Sequence, residues 1–447
     1  MKDLTQGSII QNILAMAAPM AAGMIFQTLY LMVDLYFVAA LGDAAIAGVG
    51  AAGTIFFVVM ALSQVLGVSS VALISQAVGR KDPEEANRVF NQSLVLAAIG
   101  SGITLVLGYA LAEHYMSAIA AGAAQSEGVR FMQWFLPGMA LQFALVGMGS
   151  ALRGTGIVKP AMLVQVLTII LNTILAPMLI AGWGPGPALG VKGAGLASSI
   201  SVAVGVVLLT LYFIKLEKYV SFQKKMWRPN LELWGRMFNI GLPAGGEMIL
   251  MFIYSAIVYW VIQAFGESAQ AGFSIGSRIM QAIFMPTMAI AFSVGPIAGQ
   301  NFGARQGARV RETCYWGIML NSIVMLIVTI LLQWRPDLLL AFFTDAVDVI
   351  SVGADFLRLI SWNFVAQGIV FTCSGMFQGL GNTRPAMLSS ALRLLVFIPL
   401  VIYLSQQTGF TIKQVWYVSI LSVTLQAVVS YLLVQKQLQI KLKGLPI

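Results

Sequence analysis

Two acidic residues lie within long apolar stretches of this chain. Asp34 directly follows the run from Tyr30 to Val33, and Glu247 lies four residues after Pro243. A charged side chain near the centre of a bilayer costs at least about 2.5–3.5 kcal/mol, so an acid kept in such a stretch needs a reason. A carboxylate in this setting can bind and release H⁺ or Na⁺. A structural hydrogen bond to a neighbouring helix is the alternative for both residues.

Side chains that could contact a flat organic cation occur near Asp34 and elsewhere in the apolar stretches. The chain has 23 Met, 12 Tyr and 9 Trp residues. Aromatic rings attract cations to their faces, and the thioether of Met adapts to ligands of different shape. We expect Met32, Tyr36 and Trp260 to line a substrate cavity, although Met and aromatic residues also commonly face lipid.

The residue patterns that most enzymes and metal sites need are missing from the sequence. It has no GxxxxGK[ST] phosphate-binding loop and no HExxH motif, and His114 is its single histidine. The two cysteines, Cys314 and Cys373, lie in or beside apolar stretches, which is typical of buried small residues. The sequence therefore predicts a protein that is not an enzyme, needs no cofactor and holds no structural metal ion.

The elements that carry these residues are predicted to be transmembrane helices. Hydrophobic residues make up 59% of the 447 positions and charged residues 10%, and the mean hydropathy is +0.86. A helix needs about 20 mostly apolar residues to cross a bilayer, and twelve such windows fit between residues 13 and 435. We predict an all-α membrane protein of twelve transmembrane helices. Arg278 and Arg393 fall within two windows, and we expect them to tether helix ends or to extend toward the membrane surface.

Basic residues predict the orientation of these helices. Of the 26 Lys and Arg residues, 19 fall on one side of the predicted membrane. Because Lys and Arg concentrate in cytoplasmic loops, we expect both termini to be cytoplasmic. The net charge of +9 does not indicate a nucleic-acid partner, since the basic residues alternate with the spans and form no continuous stripe.

The one long basic stretch, residues 215–237, lies near the middle of the chain and contains Trp227, Pro229 and Trp234. Trp residues beside Lys and Arg are typical of the membrane–water interface. We predict an interfacial linker between two halves, and binding of acidic lipid by this linker is an open alternative.

Residues of the first half recur in the second half. Pairs early in each half share one spacing along the chain, and pairs later in each half share a spacing that is one position longer. The pairs at the first spacing include Pro19 and Pro243, Gly42 and Gly266, Gly48 and Gly272, and Gln76 and Gln300, and those at the longer spacing include Gly154 and Gly379, Gly156 and Gly381, and Pro160 and Pro385. Six helices in each half is an even number, so the halves enter the membrane from the same side and form parallel repeats. We predict lobes at 1–214 and 238–447, joined by the linker at 215–237, with the substrate site between the lobes.

The two acids in apolar stretches have no acidic counterpart in the other half of the repeat. Val258 stands at the position equivalent to Asp34, and Gly23 stands at the position equivalent to Glu247. The fold therefore does not demand an acid at the Asp34 position, which favours a functional role for that residue. Glu247 lies near mid-depth of its predicted helix and is a second candidate for ion coupling.

Four short stretches are specific in their order and spacing: residues 33–38 (VDLYFV), residues 153–156 (RGTG), Gly241 to Pro243 with Glu247, and residues 378–383 (QGLGNT). With them, essentially the whole chain resembles the multidrug and toxic compound extrusion (MATE) family, in its prokaryotic branch similar to the DNA-damage-inducible carriers. The resemblance implies a V-shaped carrier in the plasma (inner) membrane of a prokaryote. Such a carrier exports lipophilic organic cations in exchange for H⁺ or Na⁺, and we expect it to work as a monomer.

The resemblance also implies roles for individual residues. Asp34 matches the coupling acid of the first helix, with Tyr30 and Gln27 as the tyrosine and glutamine that assist it. Asn172 matches an asparagine of the fifth helix at the same site. Pro19 matches a proline that lets the first helix bend when the acid is protonated.

One departure from the family favours H⁺ over Na⁺. Relatives commonly have an Asp four residues after the asparagine and just before a proline, whereas here Ala176 precedes Pro177. A dehydrated Na⁺ needs several oxygen ligands, and this chain has lost one carboxylate at that place. A Na⁺ site formed by Asp34 and Asn172 remains the alternative.

Two other functions remain open. A flippase for lipid-linked saccharides, known from a related superfamily, would line its cavity with arginines for the pyrophosphate group, and embedded arginines are few here. A membrane receptor would bind the same ligands without moving them across the membrane.

Overall fold

The computed structural model describes residues 1–184, 186–341, 343 and 345–445, except for the side chains of residues 27–35. Every regular element in these ranges is helical. Short 3₁₀ turns lie at Lys224–Met226 and Gln263–Phe265. The α-helices are α1 (Ile9–Ala39), α2 (Asp43–Gly79), α3 (Pro83–Ile119), α4 (Gly122–Gly154), α5 (Lys159–Ile180), α6 (Val191–Lys215), α7 (Leu231–Ile262), α8 (Glu267–Gly303), α9 (Gly307–Trp334), α10 (Pro336–Ala341), α11 (Val347–Ile360), α12 (Asn363–Gly379), α13 (Arg384–Ser405) and α14 (Ile412–Lys441).

Twelve helical segments in the described part of the chain are long and apolar enough to cross a bilayer. Helices α11 and α12 together form the tenth of these segments, and α10 has only 6 residues. The prediction of an all-α membrane protein with twelve transmembrane helices is thus confirmed.

The chain divides into two compact units whose bounds differ from the predicted lobes. The first unit consists of Met1–Asp3 and Ala22–Gly241, and the second of Leu4–Ala21 and Leu242–Ile447. Residues 4–21 belong to the second unit because they pack within it: the backbone N–H of Leu4 donates to Gln300 Oε1 at 2.9 Å, and Asn301 Nδ2 donates to the Leu4 carbonyl at 3.2 Å.

The predicted linker at 215–237 is shorter in the structure and belongs entirely to the first unit. Helix α6 ends at Lys215 and α7 already begins at Leu231. The early start of α7 has a local cause, because Asn230 Oδ1 accepts a hydrogen bond from the Leu233 N–H at 3.0 Å and so caps the helix.

The same packing pattern holds each unit together. In the first unit α4 packs against α2, α3 and α6, and in the second unit α12 packs against α8, α9 and α14. The helices that surround α4 and α12 are equivalent in the predicted repeat. The fourth span of each half is therefore the centre of its unit.

The repeat extends to unusual backbone conformations. Lys81 (φ 58°) and Arg305 (φ 60°) are the non-glycine residues with positive φ in the described part of the chain, and they occupy equivalent positions of the two halves. Gly42 (φ 105°) and Gly266 (φ 93°) form another such pair. Left-handed backbone at a side-chain-bearing residue is uncommon, so its recurrence at one repeat position supports a duplicated fold.

Close helix contacts are duplicated as well. A Cβ atom added at Gly48 would lie 2.5 Å from the Ala124 carbonyl oxygen and 2.7 Å from the Gly128 nitrogen. One at Gly272 would lie 3.0 Å from both the Val349 carbonyl oxygen and the Gly353 nitrogen. Glycine is needed at both positions because backbone approaches backbone, as is common between membrane helices.

The tenth span contains a break that the sequence did not predict. Helix α11 ends at Ile360 and α12 begins at Asn363. At the break the Trp362 N–H donates to the Leu359 carbonyl, and the Arg358 carbonyl accepts instead from Gln333 Nε2 at 2.7 Å and from Ser361 Oγ at 2.8 Å.

Candidate functional site

The predicted coupling residues of α1 fall where only the backbone is described. Asp34, Tyr30 and Gln27, as well as the predicted cavity residue Met32, lie in residues 27–35, so their side chains are outside the described part of the chain. The backbone there is helical within α1. Their roles stay predictions.

Pro19 lies inside α1, close to the point where the helix passes from one unit to the other. Proline has no N–H and cannot form the hydrogen bond to the residue four positions earlier, which weakens the helix locally. The residues of α1 belong to the second unit up to Ala21 and to the first unit from Ala22. Pro243 occupies the matching place in α7, two residues after Gly241, with which the first unit ends.

Asn172 is an isolated polar residue in the first unit. It is 1% exposed, and neither its amide oxygen nor its amide nitrogen has a hydrogen-bond partner in the described part of the chain. Ala176, one turn further along α5, is fully buried and offers no side-chain oxygen atom. An amide buried without partners is costly, so this position can receive a ligand or another polar side chain.

The second unit holds a half-buried carboxylate at the position where the first unit has Gly23. Glu247 Oε2 accepts a hydrogen bond from Ser374 Oγ of α12 at 2.9 Å. None of the ion pairs among the described residues includes Glu247. The acid is therefore held by a neutral donor, which allows it to be either protonated or charged.

Arg393 lies close to this acid in the same cavity. Its guanidinium carbon lies 3.7 Å from the centroid of the Tyr254 ring, and Nη1 donates to Gln367 Oε1 at 3.4 Å. The Arg393 Nε atom is buried without a partner in the described part of the chain. The expectation that Arg393 tethers a helix end or extends to the surface is therefore not met, because Tyr254 and Gln367 hold its guanidinium inside the unit.

The cavity is small, and both polar and apolar side chains line it. Its volume is about 10 Å³, close to the least space that one water molecule needs. Beside Glu247 and Arg393, it is lined by Tyr254, Gln367, Ser390 and Gln426 among others. It can hold a proton on Glu247 or a single water, but in this conformation it is far too small for a drug molecule. No cluster of three or more potential metal ligands occurs among the described residues.

The two described aromatic residues that were predicted to line a substrate cavity are exposed. Tyr36 is 72% and Trp260 is 66% exposed, and neither lines the cavity around Glu247. Tyr36 packs edge-on against Phe37, with ring centroids 5.3 Å apart. Their role in binding substrate stays a prediction.

The sequence did not indicate Ser374, Tyr254, Ser390 or Gln426 as neighbours of Glu247. Tyr254 lies about two turns after Glu247 on α7, whereas Ser374, Ser390 and Gln426 come from three other helices and approach Glu247 only through tertiary packing. A usable signal was present at Arg393, since its repeat position holds the uncharged Thr168. A cation that appears in only one half is a candidate for function by the argument already applied to Asp34.

This chain is similar to known proteins over nearly its whole length. The MatE family model matches residues 19–178 and 243–403. The two matches begin at Pro19 and Pro243, which already form a pair in the repeat, so the family model detects the same duplication. The multidrug export protein MepA of Staphylococcus aureus is 25% identical over 409 residues, covering 90% of this chain and 89% of MepA. The probable multidrug resistance protein YoeA of Bacillus subtilis is 27% identical over 389 residues, covering 84% of this chain and 82% of YoeA.

Solved structures of transporters are also similar to this chain over nearly its whole length. A MOP superfamily transporter from Pyrococcus furiosus has a TM-score of 0.91 at 25% identity, covering 99% of this chain and 98% of that one. An outward-facing multidrug resistance MATE family transporter of the MOP superfamily also has a TM-score of 0.91 at 25% identity, with 98% of each chain covered.

Proposed function

Because this chain belongs to the MatE family, we propose that it exports lipophilic organic cations in exchange for protons. Like its relatives it is a multidrug transporter in a membrane and not an enzyme, and transporters of this family need no cofactor. The names of MepA and YoeA support drug-like small molecules as substrates. The coupling ion and the positive charge of the substrate are the specific parts of the proposal.

The observation that carries the choice of H⁺ over Na⁺ is the pair Asn172 and Ala176. Asn172 offers a buried side-chain oxygen without a partner among the described residues, but Ala176 adds no second side-chain oxygen one turn later. A Na⁺ ion would have to lose most of its water for too few ligands, whereas a proton needs only one carboxylate. Asp34 is the acid that we assign to this role, with Tyr30 and Gln27 assisting it.

Glu247 is the second titratable group of the proposal. It is half-buried in the second unit, and its hydrogen-bond partner among the described residues is the neutral Ser374, so protonation would remove a charge there without breaking an ion pair. Uptake of a proton at Asp34 or Glu247 would change the relative stability of the inward-open and outward-open states. Pro19 would allow α1 to bend in this change.

Substrate recognition is proposed to rest on aromatic and thioether side chains. The rings of Tyr36 and Trp260 are exposed, and an accessible ring face can bind an organic cation. Met32 would supply an adaptable apolar contact in the same cavity.

The proposed location is the plasma membrane of a prokaryote, with both termini in the cytoplasm and the chain acting as a monomer. The support for this orientation is the excess of Lys and Arg on one side of the twelve spans.

Counterflow tests transport separately from energy coupling. Proteoliposomes loaded with unlabelled tetraphenylphosphonium should take up labelled tetraphenylphosphonium faster than protein-free liposomes, without any ion gradient. An anionic dye of similar size should not be exchanged. Binding of tetraphenylphosphonium without counterflow would show a receptor, and exchange of only the anionic compound would refute the cation assignment.

A further inference from the structure

Residues 216–230, which connect α6 to α7, are held in one conformation by the amide side chains of α3. Gln92 Nε2 donates to the Met226 and Arg228 carbonyls at 2.6 and 2.7 Å. Gln92 Oε1 accepts from the Asn230 N–H at 3.1 Å and from Trp234 Nε1 at 2.7 Å. Gln92 is 1% exposed, and it fixes the turn from Met226 to Asn230 through three hydrogen bonds and joins it to α7 through the fourth, at Trp234.

Two further amides of α3 fix the preceding part of this connection. Asn87 Nδ2 donates to the Tyr219 carbonyl at 2.8 Å, and Asn87 Oδ1 accepts from the Ser221 N–H at 2.8 Å. Asn91 Oδ1 accepts from the Gln223 N–H at 2.8 Å and from Trp227 Nε1 at 2.9 Å. A flexible tether would not need this support, so the connection is preorganised.

The turn from Met226 to Asn230 and α3 line an open cavity of about 290 Å³. It is lined by Glu84, Arg88, Gln92, Lys225, Met226, Arg228 and Asn230. Arg88 pairs with Glu84 at 2.8 Å, while Lys225 and Arg228 have no ion-pair partner among the described residues. The lining thus carries an excess of positive charge, and the basic side chains can donate charge-assisted hydrogen bonds, which suits a phosphate group.

Exposed apolar side chains lie at the ends of the two spans that this connection joins. Leu216 directly follows α6, Leu231 is the first residue of α7, and Trp227 lies between them. They are 66%, 75% and 44% exposed, respectively. Exposed Leu and Trp beside Lys and Arg at span ends are typical of the interface between membrane and water.

We propose that this cavity binds the phosphate-bearing headgroup of an anionic phospholipid. Lys225 and Arg228 contact the phosphate, Gln92 holds the turn that carries them, and Leu216, Trp227 and Leu231 contact the upper part of the acyl chains. The flanking apolar residues favour a lipid over a soluble phosphate compound. The site does not depend on which substrate or ion the transporter moves.

Native mass spectrometry of the detergent-purified full chain tests this site. We expect dioctanoyl phosphatidylglycerol to bind more tightly than dioctanoyl phosphatidylcholine. The double substitution Lys225→Gln with Arg228→Gln should weaken phosphatidylglycerol binding roughly 10- to 30-fold, because each basic residue near an anionic lipid contributes a sizeable attraction. Gln92→Leu should also weaken it while keeping every charge.

The matched control removes the same charge from the same segment. Lys218 and Lys224 are exposed and do not line the cavity, so Lys218→Gln with Lys224→Gln should change the affinity less than threefold. Equal losses in the two double variants, or equal binding of the two lipids, would overturn the proposal. Glycerol phosphate or inorganic phosphate that competes as strongly as phosphatidylglycerol would assign the cavity to a soluble anion instead. Unchanged elution and melting temperature would verify that each variant is folded.

Discussion

At the scale of single residues, Asn172 is the strongest sign of function in the first unit. A buried amide without a partner costs roughly 1–3 kcal/mol, and the structure holds Asn172 in that state with both amide atoms unpaired among the described residues. We expect an unpaired buried amide where a ligand or a charged side chain forms a hydrogen bond with it in another step of the transport cycle. Asp34 is the proposed companion of Asn172 in that step.

Asp34→Asn should abolish gradient-driven export while leaving expression and membrane insertion intact. The substitution removes the titrating group at nearly constant volume, so the protein can no longer carry a proton at this position. Efflux of ethidium from cells or proteoliposomes would measure the effect, and counterflow without a gradient serves as the control for folding. Export at the unmodified rate would refute the assignment of Asp34.

Ala176→Asp should increase the apparent affinity of the transporter for Na⁺. The new carboxylate would lie one turn from Asn172 and would add an oxygen ligand and the negative charge that offsets desolvation of the ion. Ala176 is fully buried, so Ala176→Asn is the control for added volume without charge. Transport rates as a function of Na⁺ concentration give the result. The same Na⁺ response in both variants would contradict the account of this site.

The residues of the candidate sites were only partly predictable from the sequence. Asp34 and Glu247 could be found because an acid in an apolar stretch is rare and because neither recurs in the repeat. The neighbours of Glu247 could not be found, since Ser374 and Arg393 approach it from other helices. Polar residues within spans are numerous, and only the packing decides which of them meet.

At the scale of helices, the duplicated glycines make a direct prediction. Gly48→Ala should destabilise the protein by roughly 1–3 kcal/mol or more, because the added Cβ would meet backbone atoms of α4 that cannot move aside. Gly50→Ala in the same helix is the matched control, since a Cβ there has no neighbour within 4 Å and Ala favours helix. Melting temperatures of the purified variants would test this. A Gly50→Ala variant as destabilised as Gly48→Ala would show that the contact with α4 is not the cause.

The sequence predicted the spans well but not their interruptions. Hydrophobic length is enough to find a transmembrane helix, and the constant spacing of repeated residues is enough to reveal the duplication. The break between Ile360 and Asn363 was not predicted because no proline or glycine marks it. The freed Arg358 carbonyl accepts from Ser361 Oγ and from Gln333 of α9, and the contact with a different helix could not be read from the sequence.

At the scale of the whole molecule, proton and drug are expected to compete through one conformational equilibrium. If protonation favours the state that releases substrate, lowering the pH must weaken drug binding, because linkage between two ligands is reciprocal. Titration of tetraphenylphosphonium affinity between pH 8 and pH 5 should show a decrease toward acidic pH, and Asp34→Asn should remove much of that dependence. Affinity that is constant over this range would contradict the mechanism.

We propose that this transporter uses the proton gradient. Substrate efflux from proteoliposomes in which a pH gradient and a Na⁺ gradient are imposed separately tests this coupling most directly. We predict that ethidium moves when only the pH gradient is present, in buffers free of Na⁺, and that a Na⁺ gradient alone gives no more transport than Asp34→Asn proteoliposomes do. Strict dependence on Na⁺, with no transport driven by the pH gradient, would contradict the account.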